Sequence, residues 1–456
     1  MPLERCIMTN FRCMSLIIIL SVLLIAGSSR GAGTEQIDGI AELYVKLVLE
    51  IGLYEPDYAD TYFGPPEWQP PESQIQDEFP SERLGRKVNE LIEKLGYASK
   101  SEKAGKQSAR FKFLEKQLLA VKAKIDLLAG KEMSFDEESR VLYDIVAPAF
   151  DKKHFDDILK KLDDTLPGEG SLNERFDNYA QRFLIPENKL EPILKAAVKE
   201  YRRRVVEHIK LPPKERLEFE FVGFEPWAAN LDYRGNGSSV LQINANMPFY
   251  LADVAIMIRH EGYPGHHIHM TMIEQRLYRD NNWVEYSVIP ANTPLALIAE
   301  GIAEYGCRDL LGNGPENLKF AREVLFPLAG FDPAEAEKYF EIIELKDKLD
   351  SAMIEAARQY IDGKMSHEQA HDWLEQYCLL TFSGAESLLR FIDRYRSYVV
   401  NYALGRYLVK NYINSKCGTD NTADRRWEIF NQLLSTPITP SELIEACKTA
   451  GQTENH

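Results

Sequence analysis

The feature that most constrains this chain is the stretch Arg259–His269, in which a proline and a glycine interrupt a run of histidines. It reads Arg-His-Glu-Gly-Tyr-Pro-Gly-His-His-Ile-His and holds four of the nine histidines in the 456-residue chain. On an unbroken helix, His266 would point about 120° away from His260, so the two could not face one ion. Pro264 removes a helical hydrogen bond, and Gly265 permits a bend. We therefore predict a bulge here that brings a later histidine back towards His260.

Two imidazoles and a carboxylate at one point would suit zinc, because hydrolytic zinc sites use three such protein ligands and keep one position open. His260 and His266 are the predicted imidazole ligands. His267 is the alternative to His266, since the geometry of a bulge does not follow from the sequence. Glu261, which follows the first ligand, is the predicted general base that accepts a proton from the attacking water.

The third ligand is expected from the next predicted helix, residues 293–311. Glu300 and Glu304 lie four positions apart and therefore share one face of that helix. We predict that Glu300 binds the metal. Glu304 would then orient a ligand imidazole by accepting a hydrogen bond from its other ring nitrogen.

The motif His-Glu-x-x-Pro-Gly-His-His at 260–267, followed by Glu-Gly-x-Ala-x-Tyr at 300–305, resembles the "domain of unknown function 885" family of bacterial and archaeal proteins. That family is similar to the gluzincin peptidases, such as the angiotensin-converting-enzyme and thermostable-carboxypeptidase types. The resemblance extends in architecture from about residue 40 to residue 450. It implies a mainly helical, zinc-dependent fold with a deep channel. Ile302 departs from the family pattern, in which tryptophan is frequent at that position.

A third motif lies on a predicted helix over residues 383–413, where Tyr395, Tyr398, Tyr402 and Arg406 recur along one face. Tyr402-Ala-Leu-Gly resembles the C-terminal Tyr-x-x-Gly of the same family. In gluzincins a tyrosine or histidine late in the chain donates a hydrogen bond to the tetrahedral oxyanion. The resemblance makes Tyr402 the first candidate for that role and Tyr398 the second. Arg406 would hold a substrate carboxylate. The alternative is that these aromatic residues belong to the core.

A rival motif lies further along the chain, where residues 367–371 read His-Glu-Gln-Ala-His and match His-Glu-x-x-His. Ser366 is the predicted N-cap of a surface helix that begins there. The first turn of such a helix is expected to be exposed, and no third ligand follows it. We therefore favour the stretch around His260.

The rest of the chain predicts one mostly helical domain over residues 32–456. Five or six helices are expected between about residues 80 and 210. Residues 217–222 alternate with period two, and Gly235-Asn236-Gly237 separates two strand-like runs, so a small antiparallel sheet is predicted before the metal-site helix. The hydrophobic fraction of 45% indicates a sizeable core, and the net charge of −16 argues against a nucleic-acid partner.

Residues 1–31 have the pattern of a secretory signal peptide, with a positive start, an apolar run over residues 15–27 and small residues after it. Cleavage is expected within residues 29–32, and an uncleaved signal anchor is the alternative. The predicted location is therefore periplasmic or extracellular, with no stable membrane partner after cleavage. The remaining cysteines lack Cys-x-x-Cys spacing, and Cys417 with Cys447 could form a bridge.

These observations together predict a secreted zinc metallopeptidase that binds one zinc ion per chain and acts on peptide ends. Its partner is then a peptide or a small amide substrate. One alternative is a metal-dependent amidase or esterase that uses the same ligands on a non-peptide substrate. Another is an inactive relative that only binds, although the presence of Glu261 argues against it.

Overall fold

The computed structural model describes residues 32–75, 77–100, 106–223, 227–312 and 314–449. The predicted signal peptide, residues 1–31, lies outside the described residues. The described chain is mainly helical with two small sheets, which confirms the predicted fold class at that level. Within these residues, no helix is both long enough and apolar enough to span a bilayer.

The first three helices build a second hydrophobic core together with Tyr233 and apolar residues between positions 270 and 295. They are α1 (Ala32–Gly52), α2 (Ser81–Ser99) and α3 (Lys106–Leu128). Helix α2 buries Leu84, Val88, Leu91 and Leu95, a three- and four-residue spacing that places apolar side chains on one face. The loop between α1 and α2 contains strand β1 (Thr61–Tyr62), which pairs later in the chain.

Four further helices follow, separated by segments that contain Pro148, Pro167 and Pro186. They are α4 (Phe135–Tyr143), α5 (Lys152–Thr165), α6 (Leu172–Gln181) and α7 (Glu187–Val206). Ser134 and Ser171 each cap a helix, and in each case a glutamate three residues later completes a capping box. Helices α2 to α7 are six, within the predicted five or six.

The sheet before the histidine-rich stretch is mixed rather than antiparallel, which corrects the prediction. It comprises β2 (Arg216–Val222), β3 (Ala229–Tyr233) and β4 (Ser238–Asn244) in the order β2-β4-β3. The predicted hairpin joins β3 to β4, but β2 pairs in parallel with the other edge of β4. The apolar β4 thereby becomes the central strand, with Leu241 and Ile243 fully buried. Sequence alternation indicated the strands but not their order.

The second half of the chain is again helical. Its helices are α8 (Leu251–Met257), α9 (His266–Met272), α10 (Pro294–Tyr305), α11 (Pro315–Phe320), α12 (Phe326–Ala329), α13 (Ala336–Asp347), α14 (Ser351–Ile361), α15 (His367–Cys378), α16 (Phe382–Tyr395), α17 (Val400–Cys417), α18 (Ala423–Leu433) and α19 (Pro440–Thr449). Strand β5 (Val288–Ile289) pairs antiparallel with β1, so the loop after α1 is attached to the segment between α9 and α10. Cys417 and Cys447 are both free thiols.

Helices α10 and α17 pack with their backbones in direct contact. A methyl group added at Gly301 would lie 2.5 Å from the carbonyl oxygen of Gly405. No side chain other than hydrogen fits at either position without a shift of the backbone. The close approach fixes Glu300, on α10, relative to the tyrosines on and before α17.

The predicted single helix over residues 383–413 is divided in the structure, which corrects the assumption that its tyrosines share one face. Helix α16 ends at Tyr395, and Arg396 adopts a positive φ of 54°. The buried carboxylate of Glu138 accepts hydrogen bonds from the backbone N–H and the hydroxyl of Ser397, at 3.1 and 2.6 Å. This tertiary contact with α4 competes with helix continuation, and no local sequence pattern indicates it.

Candidate metal centre

A short reversal of the chain between α8 and α9 builds the site. Residues Ile258–Gly262 form one π-helical turn, and α9 begins at His266. The N–H of Gly265 donates to the carbonyl of Arg259 at 3.0 Å, so the chain folds back against its own preceding turn. A Cβ at Gly265 would lie 1.6 Å from the carbonyl oxygen of His260, and only glycine permits this approach. The reversal therefore sets His266 opposite His260.

Three predicted ligands converge at this point. The Nε2 atoms of His260 and His266 lie 3.1 Å apart. Glu300 Oε2 lies 3.3 Å from the first nitrogen and 3.4 Å from the second. Donor atoms at about 2.0–2.1 Å from a tetrahedral zinc ion would lie about 3.3 Å from one another. The three side chains therefore fit one zinc ion in both spacing and donor type.

The buried polar atoms of the group point to a cation between them. Glu300 Oε2 is buried and has no hydrogen-bond partner among the described residues. Burial alone would lower the pKa of His260, but the close carboxylates of Glu300 and Glu304 outweigh it and raise that pKa well above its ordinary value. Burial would likewise raise the pKa of Glu300, yet His266 and His260 hold it far below its ordinary range. The arrangement thus favours an added positive charge where the ligands meet.

Glu304 lies behind His260, as predicted. Its Oε1 is 3.0 Å from His260 Nδ1, the ring nitrogen that faces away from the other two ligands. Its second oxygen accepts a hydrogen bond from Arg308 Nε at 2.5 Å. Burial opposes ionisation of Glu304, but Arg308 and His260 outweigh it and lower its pKa to about 2. Glu304 therefore stays anionic and orients the imidazole.

Glu261 and Tyr402 lie beside the ligands, on a cavity of about 860 Å³ whose lining also includes His260 and Glu304. The ring centroids of His260 and Tyr402 are 6.4 Å apart. Within the described part of the chain, the Tyr402 hydroxyl has no hydrogen-bond partner, so it is available to a bound molecule. Burial, with Glu300 and Glu261 adding to it, raises the pKa of Tyr402 well above its ordinary value, and the hydroxyl keeps its proton.

Tyr398 contacts a ligand rather than the cavity. Its hydroxyl donates to Glu300 Oε1 at 2.9 Å. The other oxygen of the same carboxylate is the one that faces the two histidines. Tyr398 therefore holds Glu300 in place, and this contact occupies the hydroxyl that was the second candidate for the oxyanion.

His267, the alternative ligand, points away from the group. Its Nε2 lies 3.0 Å from Glu215 Oε1, and its Nδ1 lies 2.7 Å from the Ser239 hydroxyl. Glu215 also accepts from the Tyr263 hydroxyl and, at 3.0 and 2.8 Å, from Arg202. This buried network ties the turn to the sheet, and sequence reasoning missed it because its members are distant in the chain.

Arg406, the predicted substrate ligand, lies outside the cavity that holds Glu261 and Tyr402. It lines a separate cavity of about 770 Å³, and its Nε donates to Asp309 Oδ2 at 2.6 Å. The pairing with Asp309 holds the guanidinium in that cavity. The structure therefore does not bring Arg406 to the ligand group.

Asp60 is a site residue that the sequence did not indicate. It precedes β1, in the loop that β5 holds against the segment between the two ligand-bearing helices. Its side chain is exposed at the surface, but the surrounding protein still removes part of the water from the carboxylate. This desolvation, with the charges of Glu300 and Glu261, raises the pKa of Asp60 to about 6 against the opposing charge of His266. No spacing in the sequence related this loop to the histidines.

The rival motif does not assemble into a comparable group. Ser366 caps α15 with a capping box, as predicted. His367 is 49% exposed, whereas His371 is buried and its Nε2 donates to the carbonyl of Phe382 at 3.1 Å. His371 lies near Glu375 and the exposed Asp372, but His367 does not join them. His367 Nδ1 and His371 Nε2 lie 4.0 and 3.9 Å from Glu386 Oε1, on the same side of α15. Among the described residues, the two histidines of the motif therefore approach one glutamate but do not share a compact set of three ligand atoms.

Solved structures that are similar to the chain include two bacterial proteins. One is a "putative lipoprotein" from Colwellia psychrerythraea, with a TM-score of 0.50, 13% identity and coverage of 83% of this chain. This chain spans only 65% of the length of that protein. The other is a "putative lipoprotein of unknown function" from Shewanella oneidensis, with a TM-score of 0.47, 12% identity, and coverage of 82% of this chain and 73% of that one. At such identities the first likeness concerns the fold alone.

The comparisons by sequence give no match. No protein-family model matches the chain. No curated protein matches it either.

Proposed function

We propose that this protein is a zinc-dependent hydrolase that cleaves peptides, with one zinc ion held by His260, His266 and Glu300. The observation that carries the proposal is the spacing of their three donor atoms, 3.1 to 3.4 Å from one another, at the end of a cavity that Glu261 lines. The motifs at 260–267 and 300–305 resemble those of the "domain of unknown function 885" and gluzincin proteins, and this resemblance agrees with the proposal.

The side chains divide the chemistry between them. Zinc, when bound, supplies Lewis-acid activation of a water molecule and of the substrate carbonyl. Glu261 accepts the proton of that water and passes it to the leaving amine. The Tyr402 hydroxyl, which keeps its proton, donates to the oxyanion that develops on the substrate. Glu304 and Tyr398 hold two of the ligands in position and do not touch the substrate.

We propose an exported location for the enzyme. The pattern of residues 1–31 supports it, since a positive start, an apolar run and small residues are typical of a signal peptide. The lipoprotein name of the Colwellia psychrerythraea structure agrees with export. The small residues near the predicted cleavage region contain no cysteine to carry a lipid, so the proposed form here is unanchored.

Metal analysis of purified variants, alongside digestion of a mixture of short peptides followed by mass spectrometry, tests the proposal. We expect one metal ion per chain in the wild type. Glu261→Gln should keep the metal and lose hydrolysis, whereas His260→Ala should lose both. His367→Ala is the matched control, because that exposed histidine belongs to the rival motif, and it should change neither. Retention of metal by His260→Ala, loss of metal in His367→Ala, or a metal-loaded wild type that cleaves no peptide would contradict the proposal.

A further inference from the structure

The cavity beside the ligand group has a strongly unbalanced lining. Eight carboxylate side chains line it, against two basic ones, Arg308 and Lys346. A cavity with walls of low dielectric constant concentrates the field of such charges, so the excess of carboxylates favours a bound cation over an anion. Its volume of about 860 Å³ is sufficient for several residues of an extended peptide.

The arginine of the lining is already committed to carboxylates. Arg308 is ion-paired with Glu304 and Asp347, and its Nη2 lies 3.8 Å from Asp350. Lys346 lies among carboxylates, and its charge acts on Asp253 and Asp350. Arg406, the predicted partner of a substrate carboxylate, lines the other cavity and is paired there. Within the described lining, therefore, Lys346 is the lysine or arginine without an ion pair, and a peptide carboxylate beside it would still meet the excess of carboxylates.

The cavity has more carboxylates than basic side chains, and the pKa values of two of these carboxylates are raised. Burial, with Asp347 adding to it, raises the pKa of Asp350 to about 6 despite the opposing charge of Arg308. Burial also raises the pKa of Asp253. Asp177, on α6, has no ion-pair partner among the described residues. A cation that enters the cavity would relieve this crowding.

We propose that the cavity receives the positively charged part of the substrate. The grounds are the excess of carboxylates, the ion-paired arginine, and the fact that Glu261 and Tyr402 line the same cavity. The cationic group is an ammonium or guanidinium, carried either by the free amino end of a peptide or by a lysine or arginine side chain. This inference rests on the proposed function, since it names the substrate class of the same site. It also assigns the enzyme to amino-end or basic peptides, and not to recognition of a terminal carboxylate.

Binding to the Glu261→Gln variant tests the inference apart from hydrolysis. The probes are four fluorescent peptides of equal length, all amidated at the carboxyl end. One has a free amino end, one is acetylated with a lysine, one is acetylated and neutral, and one is acetylated with a glutamate. We expect either or both cationic peptides to bind at least about tenfold more tightly than the neutral one, with an affinity that falls as salt is added. The first two peptides distinguish the amino end from the side chain.

A charge-neutralised pair of variants locates the effect. Asp177→Asn with Asp253→Asn should weaken binding of the cationic peptide about tenfold, because two nearby negative charges are removed. Asparagine at 253 keeps an acceptor for the Tyr250 N–H, which the carboxylate now accepts at 3.4 Å. The control is Asp157→Asn with Asp164→Asn, two exposed carboxylates on α5 outside the cavity, which should leave binding unchanged.

The inference is overturned if the neutral or acidic peptide binds as tightly as the cationic ones, or if the cavity pair and the control pair behave alike. Circular dichroism of each variant confirms that it is folded. Failure of the wild type to bind metal or to cleave peptides would contradict the proposed function instead, and peptide binding would still report on the charge of the cavity. The two results are therefore distinguishable.

Discussion

Replacing Glu215 with glutamine should destabilise the fold by about 3 kcal/mol at neutral pH. The Glu215 side chain is fully buried and accepts hydrogen bonds from Arg202 and Tyr263, while His267 Nε2 lies 3.0 Å from it. Burial would raise its pKa, but these partners outweigh burial and lower the pKa from 4.5 to about 2. At about 1.4 kcal/mol per pKa unit, that shift corresponds to about 3 kcal/mol. Removal of one member of a buried ion pair costs a similar amount.

The direction of the pKa shift determines how the effect of Glu215→Gln depends on pH. Because the pKa of Glu215 is lower in the folded chain than in the unfolded one, its contribution is complete above about pH 4.5 and is lost as the pH falls towards 2. The difference in unfolding free energy between the wild type and Glu215→Gln should therefore be largest near neutral pH and shrink below pH 4.5.

Urea unfolding followed by tryptophan fluorescence measures that difference at several pH values. The control is Glu218→Gln on β2, where the carboxylate is 63% exposed and its contact with Arg216 is 3.6 Å. A surface pair of this kind contributes little, so the control should change stability by less than about 1 kcal/mol. A loss below about 1 kcal/mol for Glu215→Gln, or a loss that is equal at pH 7 and pH 3, would refute the reasoning.

Three further predictions concern the metal centre and the helices that carry it. Glu304→Gln should weaken metal affinity about 10- to 100-fold, measured by competition with a chelator, because the imidazole that it orients loses an anionic partner; unchanged affinity would contradict that role. Tyr402→Phe should lower kcat about 10²- to 10³-fold with metal content unchanged, and a full rate would exclude Tyr402 as the oxyanion donor. Gly301→Ala should lower the free energy of unfolding by about 1–3 kcal/mol, because its methyl group would meet the Gly405 carbonyl. Gly39→Ala, on α1 with no atom within 4 Å of the added carbon, is the control and should not destabilise the protein.

The sequence predicted well where local chemistry decides the structure. Proline and glycine at 264 and 265 predicted the reversal, and capping residues such as Ser366 predicted the start of a helix. The four-residue spacing of Glu300 and Glu304 placed both carboxylates on one side of α10, where each contacts His260. These features depend on interactions within about one or two helical turns, which a single sequence contains.

Features set by distant contacts could not be predicted in the same way. Glu138 interrupts the helix at Arg396 from more than two hundred residues away, and it thereby changes the relation between Tyr398 and Tyr402. Asp60 reaches the site only because two short strands pair across the chain. The alternating pattern predicts that β2 is a strand, but it does not specify that β2 pairs in parallel with β4.

The π-helical turn before Gly265 has a consequence for how distant relatives are recognised. A scan for His-Glu-x-x-His selects residues 367–371, whose two histidines do not belong to one compact ligand group, and passes over His260 and His266, whose ring nitrogens face each other at 3.1 Å. The extra residues between the facing pair are absorbed by a widened helical turn and a reversal of the backbone. Searches keyed to distances between donor atoms would find this geometry in chains whose residue counts disagree.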